Sequence, residues 1–279
     1  MNENGNLHSH RISRRQFLWL ATAGLLAACC PPQQTGAGEK PAGAEPTSIP
    51  AATSSPSTQV SASTEEPEPA GDLPAILEHL HWLGHASFRL DGPQAVYFDP
   101  VDIGSEPPPA DIILISHDHQ DHLSIGDLKK ISGPDTIIIT IPSIATSLEG
   151  SGVTYAEVRA AQPGEQMTVG DVEIETVPAY NIGKSYHPKE ARYLGFIVTL
   201  GGERLYFAGD TDHIPEMADI DCDVALLPVG GTYTMDIEEA AQATADIGPK
   251  VAVPMHDRGA DLDAFRDLCD CPVVVMKIE

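Results

Sequence analysis

The stretch IILISHDHQDH, residues 112–122, joins a short apolar run to a cluster of metal-binding side chains. The second half has the order H-x-H-x-D-H, and imidazole and carboxylate groups are the ligands expected for zinc, iron or manganese. The β-branched run before it, Ile112–Ile115, predicts a buried strand of a parallel or mixed sheet. A strand that ends in a ligand-rich loop places those ligands at one rim of the sheet, where open α/β folds locate their sites.

This motif is similar to the signature of the metallo-β-lactamase superfamily, and later segments share its pattern. FAGDT at 207–211 resembles the superfamily's strand-and-aspartate segment, and VPMH at 253–256 resembles its strand-and-histidine segment. Together with WLGHAS at 82–87 and LPVGGTYTM at 227–235, they resemble most closely the branch of small metal-dependent hydrolases that includes ascorbate-6-phosphate lactonase-like proteins. The resemblance covers about residues 77–279.

The resemblance implies an α+β fold, an αββα sandwich in which two mixed β-sheets pack face to face with outer helices. A domain over residues 74–279 is long enough for such a core. Periodicity and turn residues predict helices over 124–131, 144–148, 236–247 and 262–268. They predict strands over 79–90, 95–98, 112–115, 136–140, 167–169, 172–177, 195–200, 204–208, 224–227, 251–254 and 273–278.

By the same resemblance, six side chains would hold two divalent metal ions, with zinc expected and manganese or iron as alternatives. Those assigned to the first ion are His117 and His119, those assigned to the second are Asp121, His122 and His256, and the bridging residue is Asp210.

One ligand position departs from the family pattern. The first site is expected to have a third histidine, but the corresponding position holds Asn181, whose amide oxygen is a weaker zinc ligand than imidazole. His187 lies six residues later, and we interpret it either as the replacement ligand or as a group that contacts the substrate. The alternative for His187 is a surface histidine beside a proline.

Three further residues are candidates for a supporting or substrate-binding role. His85 follows Gly84 in an apolar segment and is interpreted as a group near the metals or the substrate, with a buried structural histidine as the alternative. Gly230 and Gly231 offer backbone N–H groups for an anion, or serve only the geometry of a turn.

These residues predict a metal-dependent hydrolase, in which a metal-bound hydroxide attacks an ester, lactone, amide or phosphodiester of a small-molecule substrate. Asp121 is the candidate catalytic residue that orients this hydroxide and receives its proton. Two alternatives stay open: a mononuclear iron dioxygenase of the same fold, and a non-catalytic metal-binding surface lipoprotein.

The N-terminal region predicts where the protein is located. SRRQFL at 13–18 is a twin-arginine export motif, and the apolar stretch Phe17–Ala28 is too short to span a bilayer but suits a signal sequence. LAAC at 26–29 resembles a lipobox, so residues 1–29 are interpreted as a lipoprotein signal region. We expect an extracytoplasmic protein anchored to the membrane by a lipid on Cys29. Residues 30–73, rich in Pro, Ala, Ser and Thr, predict a disordered tether.

Charge and cysteine content limit the partners. The net charge is −25; residues 1–29 carry +2 and residues 30–73 carry −5, which leaves −22 on residues 74–279. A domain this acidic is repelled by nucleic-acid backbones and anionic lipid, so a nucleic-acid partner is not expected. Cys222 is interpreted as a small core residue, and Cys269 and Cys271 have a spacing that is poor for a disulfide within a strand.

Overall fold

Two six-stranded β-sheets form the core of the part of the chain that the structure, a computed structural model, describes: residues 73–279. The predicted export signal, nearly all of the predicted tether, and Cys29 lie outside these described residues. Within residues 73–279, no helix has the length and apolar character needed to cross a membrane.

The first sheet is mixed and has the strand order β1-β2-β3-β4-β5-β6. Its first three strands pair antiparallel, and β3 to β6 pair parallel. Every residue of β4 is buried, which explains its continuous apolar run. The strands are β1 (Leu80–Gly84), β2 (Ser87–Leu90), β3 (Val96–Phe98), β4 (Ile112–Ile115), β5 (Ile137–Thr140) and β6 (Glu157–Ala160).

The second sheet is also mixed and has the order β12-β11-β10-β9-β8-β7. Its strands β7 to β10 pair antiparallel, whereas β10, β11 and β12 pair parallel. The strands are β7 (Gln166–Val169), β8 (Val172–Ala179), β9 (Tyr193–Leu200), β10 (Glu203–Phe207), β11 (Val224–Pro228) and β12 (Val251–Met255).

Aromatic side chains join the two sheets. The ring of Phe207 on β10 lies 5.2 Å from that of Phe98 and 6.4 Å from that of Phe88, measured between centroids. Among the helices, α2 contacts β6 and α3 contacts β11. The predicted αββα sandwich is therefore confirmed. The α-helices are α1 (Ile125–Ile131), α2 (Pro142–Leu148), α3 (Ile237–Ile247) and α4 (Leu262–Leu268).

Helix boundaries follow the capping residues in the sequence. The Ser124 hydroxyl accepts a hydrogen bond from the Asp127 backbone N–H at the start of α1. Asp236 and Glu239 form both hydrogen bonds of a capping box at the start of α3, as predicted. The helix ends at Gly248, whose φ of 66° is readily adopted only by glycine.

Two strand predictions are wrong, and both failures concern the ends of the domain. The predicted strand 79–90 is two strands, because the chain reverses at Gly84 (φ 112°) and His85 (φ 51°). The predicted strand 273–278 makes only isolated bridges, from Val273 to Ala252 and from Ile278 to Trp82. Strand β6 was not predicted, since its alternating pattern of polar residues is weak over four positions.

Candidate metal centre

The candidate ligands meet at one rim of the sandwich because each follows the end of a strand. His117 to His122 follow β4, His187 lies in the loop after β8, and Asp210 follows β10. His256 follows β12, and His85 follows β1. The β4, β10 and β12 ends belong to strands with parallel neighbours, so the carboxyl ends of both sheets supply the site.

The first group of converging side chains is His117, His119 and His187. The Nδ1 atom of His119 lies 3.0 Å from Nε2 of His117 and 3.1 Å from Nε2 of His187. His117 and His187 are buried. The structure therefore brings His187, rather than Asn181, to the place where a third imidazole is needed.

The second group contains the predicted residues Asp121, His122 and His256, and His85 joins them. The Nε2 atom of His85 lies 3.2 Å from Oδ2 of Asp121, and its ring centroid lies 3.9 Å from that of His256. His85 thus approaches the site directly, at the same turn that ends β1.

Asp210 lies between the two groups. Its Oδ1 is 3.3 Å from Nε2 of His122, and its Oδ2 is 3.3 Å from Nε2 of His256 and 3.4 Å from Nε2 of His187. Burial acts to raise the pKa of Asp210, but the charge of His122 holds it well below its usual range. A buried carboxylate in contact with histidines of both groups has the position required of a bridging ligand.

Unsatisfied buried atoms show that these residues fit a metal. Nε2 of His122, Oδ1 of Asp210 and both ring nitrogens of His256 are buried without a hydrogen-bond partner among the described residues. An unsatisfied buried polar atom costs about 1–3 kcal/mol. Imidazole and carboxylate atoms that converge in this way match the ligand set of a divalent transition metal.

A buried carboxylate outside both groups fixes the orientation of two histidines. Asp99 directly follows β3, and its Oδ2 accepts hydrogen bonds from Nδ1 of His122 at 2.7 Å and from the Ser116 hydroxyl at 2.5 Å. Because that hydroxyl gives its hydrogen to Asp99, it accepts one from Nδ1 of His117 at 2.8 Å. These hydrogen bonds leave Nε2 of His117 unprotonated and direct Nε2 of both histidines toward the site.

The loop after β8 holds His187 in a comparable way. Its Nδ1 donates to the carbonyl of Tyr233 at 3.1 Å, which leaves Nε2 free to face His119. The Asn181 amide donates to the same carbonyl at 2.7 Å, and the Asn181 backbone N–H donates to the His187 carbonyl at 2.7 Å. Asn181 thus supports the histidine that takes its expected place.

Three further candidate ligands have pKa shifts toward their metal-binding forms, and one does not. Burial acts to lower the pKa of His122, but the charge of Asp210 raises it well above its usual value. Burial lowers the pKa of His117 well below its usual value, and the charge of His122 acts in the same direction. Burial likewise lowers the pKa of His187. The hydrogen bond from His85 holds the pKa of Asp121 far below its usual range. Neutral imidazoles and an ionised carboxylate are the states that bind metal.

Backbone strain also concentrates here. A left-handed conformation costs a non-glycine residue roughly 1–2 kcal/mol and persists where the surrounding structure imposes it. The non-glycine residues of the site and its border with positive φ are His85 (51°), Asp99 (41°), His187 (53°), His256 (49°) and Arg258 (48°).

The two candidate glycines serve backbone geometry. A Cβ on Gly230 would lie 2.4 Å from the carbonyl oxygen of His256, so only glycine permits this approach. Gly231 has φ 83°, and its N–H donates to the Met235 carbonyl. The Gly231 N–H is therefore engaged in the turn.

Comparison with known proteins identifies the family. Residues 79–256 match the Beta-lactamase superfamily domain. Over 189 residues, 63% of this chain and 80% of the other, the sequence is 36% identical to a UPF0173 metal-dependent hydrolase of Methanoculleus marisnigri. It is 34% identical over 226 residues to a UPF0173 metal-dependent hydrolase of Pyrococcus abyssi, covering 71% of this chain and 96% of that one.

The chain belongs to the metallo-β-lactamase superfamily. A crystal structure from Parabacteroides distasonis, assigned to the metal-dependent hydrolases, is 32% identical with a TM-score of 0.66 and covers 72% of this chain and 93% of its own. A metallo hydrolase from Ignicoccus hospitalis is 27% identical with a TM-score of 0.59, covering 71% and 94%.

A cavity of about 470 Å³ opens beside the candidate ligands of this metallo-β-lactamase superfamily member. Tyr186 and Tyr233 form one wall, where their rings meet edge to face at 4.6 Å. A volume in this range suits a small molecule. The lining is completed by Asp118, His119, Gln120, Asp121, His187, Asp210, His256 and Arg258.

Asp99, which orients two candidate ligands, was not predicted from the sequence. The signal was a carboxylate directly after the short apolar segment Val96–Phe98, in the position relative to its strand that Ser116 has relative to β4. Parallel pairing of β3 with β4 puts these two strand ends side by side.

Proposed function

We propose that the protein is a hydrolase that works with two divalent metal ions and cleaves an ester, lactone, amide or phosphodiester of a small molecule. The observation that supports it most strongly is the position of Asp210 between two groups of ligating atoms. The relatives of the chain are metal-dependent hydrolases of the same fold. The substrate class and the metals are our proposal.

The residues would divide between the two ions according to the proximity of their ligand atoms. One ion would be held by His117, His119 and His187, and the other by Asp121, His122 and His256, with Asp210 shared. When bound, such ions activate water and polarise the oxygen of the bond under attack. Zinc is our first choice because imidazoles dominate the ligand set.

Asp121 has the position and charge for orienting the attacking water. Half of its side chain is open to the cavity, and it stays ionised because His85 donates to its Oδ2. An ionised carboxylate accepts a hydrogen bond from water and thereby fixes its direction. His85 in turn limits the orientations open to the carboxylate.

Removal of the metal tests this function. The protein stripped with a chelator is expected to lose hydrolysis of 4-nitrophenyl acetate, a γ-lactone and bis(4-nitrophenyl) phosphate to background, and to regain it on reloading with zinc or manganese. Circular dichroism before and after stripping controls for unfolding. Hydrolysis that persists without metal would contradict the proposal, and a single tightly bound iron with oxygen consumption would favour the dioxygenase alternative.

We also propose that the protein is anchored by a lipid on Cys29 on the outer side of the cytoplasmic membrane, which rests on the twin-arginine motif and the LAAC segment. The Cys29→Ala variant is expected to move from the membrane fraction to the soluble fraction, because the residue that carries the lipid would be lost. Cys222→Ala is the matched control and should fractionate as the unaltered protein does. Unchanged membrane association of Cys29→Ala would contradict the anchor.

A further inference from the structure

Arg258 places a positive charge at the mouth of the candidate site. It lies two residues after His256 and is exposed. Its side chain lines the cavity of about 470 Å³ beside the ligands and also a neighbouring cavity of about 570 Å³ that includes His85 and Asp121. The guanidinium therefore stands at the border of two spaces that both reach the candidate metal ligands.

This guanidinium has no carboxylate partner in the part of the chain that is described. Other arginines of the domain pair with acids: Arg89 with Asp91, and Arg204 with Glu175, each at 2.8 Å. A domain with a net charge of −22 offers many such partners. An arginine that lacks one, beside the cavity, has its N–H groups available to a ligand.

The side chain of Arg258 is nevertheless held in place. Its Cζ lies 5.0 Å from the centroid of the Tyr233 ring, within the range of a cation–π contact. Its Cγ and Cδ pass over Gly230, where an added Cβ would lie 3.2 Å from each. The absence of a side chain at Gly230 thus makes room for both the His256 carbonyl and the arginine stem.

The surrounding charges show what this arginine is suited to bind. The other charged residues along the same cavity are the carboxylates Asp118, Asp121 and Asp210. Neither they nor the acidic domain as a whole would attract an anion. The planar guanidinium binds carboxylate and phosphate through two parallel hydrogen bonds.

We propose that Arg258 binds an anionic group of the substrate, a carboxylate or a phosphate, while the bond to be hydrolysed lies at the metal centre. This inference rests on the proposed function and narrows its substrate class to anionic esters, lactones or amides. The Tyr186 and Tyr233 rings supply an apolar wall of the same cavity.

The proposal predicts a charge preference that depends on Arg258. The zinc-loaded protein is expected to favour mono-4-nitrophenyl succinate over neutral 4-nitrophenyl acetate in kcat/KM. In Arg258→Gln this preference should fall by about 10–100-fold, the effect of losing a hydrogen-bonded charge. Arg192→Gln removes an equal charge from an exposed arginine that does not line the cavity, and should retain the preference.

Binding measurements separate this proposal from the proposed function. Calorimetry with succinate, inorganic phosphate and neutral succinamide on zinc-loaded protein should show weaker binding of at least one anion to Arg258→Gln than to Arg192→Gln. The anion affected identifies carboxylate or phosphate as the group bound. Equal binding of both anions to the two variants would overturn the role of Arg258, whether or not the esters are cleaved. If anion binding depends on Arg258 but no ester is cleaved, the result would contradict the proposed hydrolase function and leave the role of Arg258 in place.

Discussion

Replacing Asp210 by alanine is expected to remove both metal ions and to abolish hydrolysis. The carboxylate contacts histidines of both groups, His122 and His256 at 3.3 Å and His187 at 3.4 Å, so neither group keeps a complete set of ligands without it. Loss of a residue that only supports a metal ligand costs about 10–100-fold in affinity or activity, so loss of the bridge should exceed about 100-fold. Metal content per chain, by elemental analysis of the purified protein, is the measurement.

Two variants sharpen this experiment. Asp210→Asn keeps the shape of the side chain but not the charge, and should retain less than half of the metal. Asp246→Ala removes an exposed carboxylate that pairs with His213 on the surface, and should retain all of it. A full complement of metal in Asp210→Ala, with the fold intact by circular dichroism, would disprove the bridging role.

Replacing His187 by alanine is expected to lower the metal content by one ion per chain, because the first group would keep only His117 and His119. Asn181→Ala should retain both ions, since the Asn181 amide supports the loop by donating to the Tyr233 carbonyl. The metal affinity of Asn181→Ala should fall by at most about 10–100-fold. Titration of the stripped protein with zinc, followed by calorimetry, measures both affinities.

The outcome distinguishes the two roles considered for His187. Intact metal content with weakened catalysis would identify it as a residue that contacts substrate. If Asn181→Ala lost an ion and His187→Ala did not, the ligand would be the amide of Asn181 and not the imidazole of His187.

Local signals in the sequence predicted most of the fold. The β4 run and the H-x-H-x-D-H motif are contiguous, so the strand and the ligand loop follow from neighbouring residues. The capping box at Asp236 is equally local. By contrast, the reversal at Gly84 and His85 interrupts a segment whose composition suits one long strand. Because of this turn, His85 lies with the second group of ligands and not within a strand.

Asp99, which was not predicted, and the role of His187, which was left open between two possibilities, depend on contacts distant in sequence. Asp99 meets His122 across 23 positions, and His187 meets His119 across 68. Whether His187 or Asn181 reaches the first group is decided by the hydrogen bonds of their shared loop to Tyr233. Such pairings arise only when strand ends from both sheets come together at one rim.

Asp99 links the first group of candidate ligands to the second. One oxygen of this carboxylate accepts hydrogen bonds both from His122 and from the hydroxyl that orients His117. An ion bound by His122 would polarise its imidazole and strengthen its hydrogen bond to Asp99. Asp99 would then accept less strongly from the Ser116 hydroxyl, and the basicity of His117 would change. We therefore expect the affinities for the two ions to be linked by a coupling free energy, with a reciprocal effect of each ion on the other.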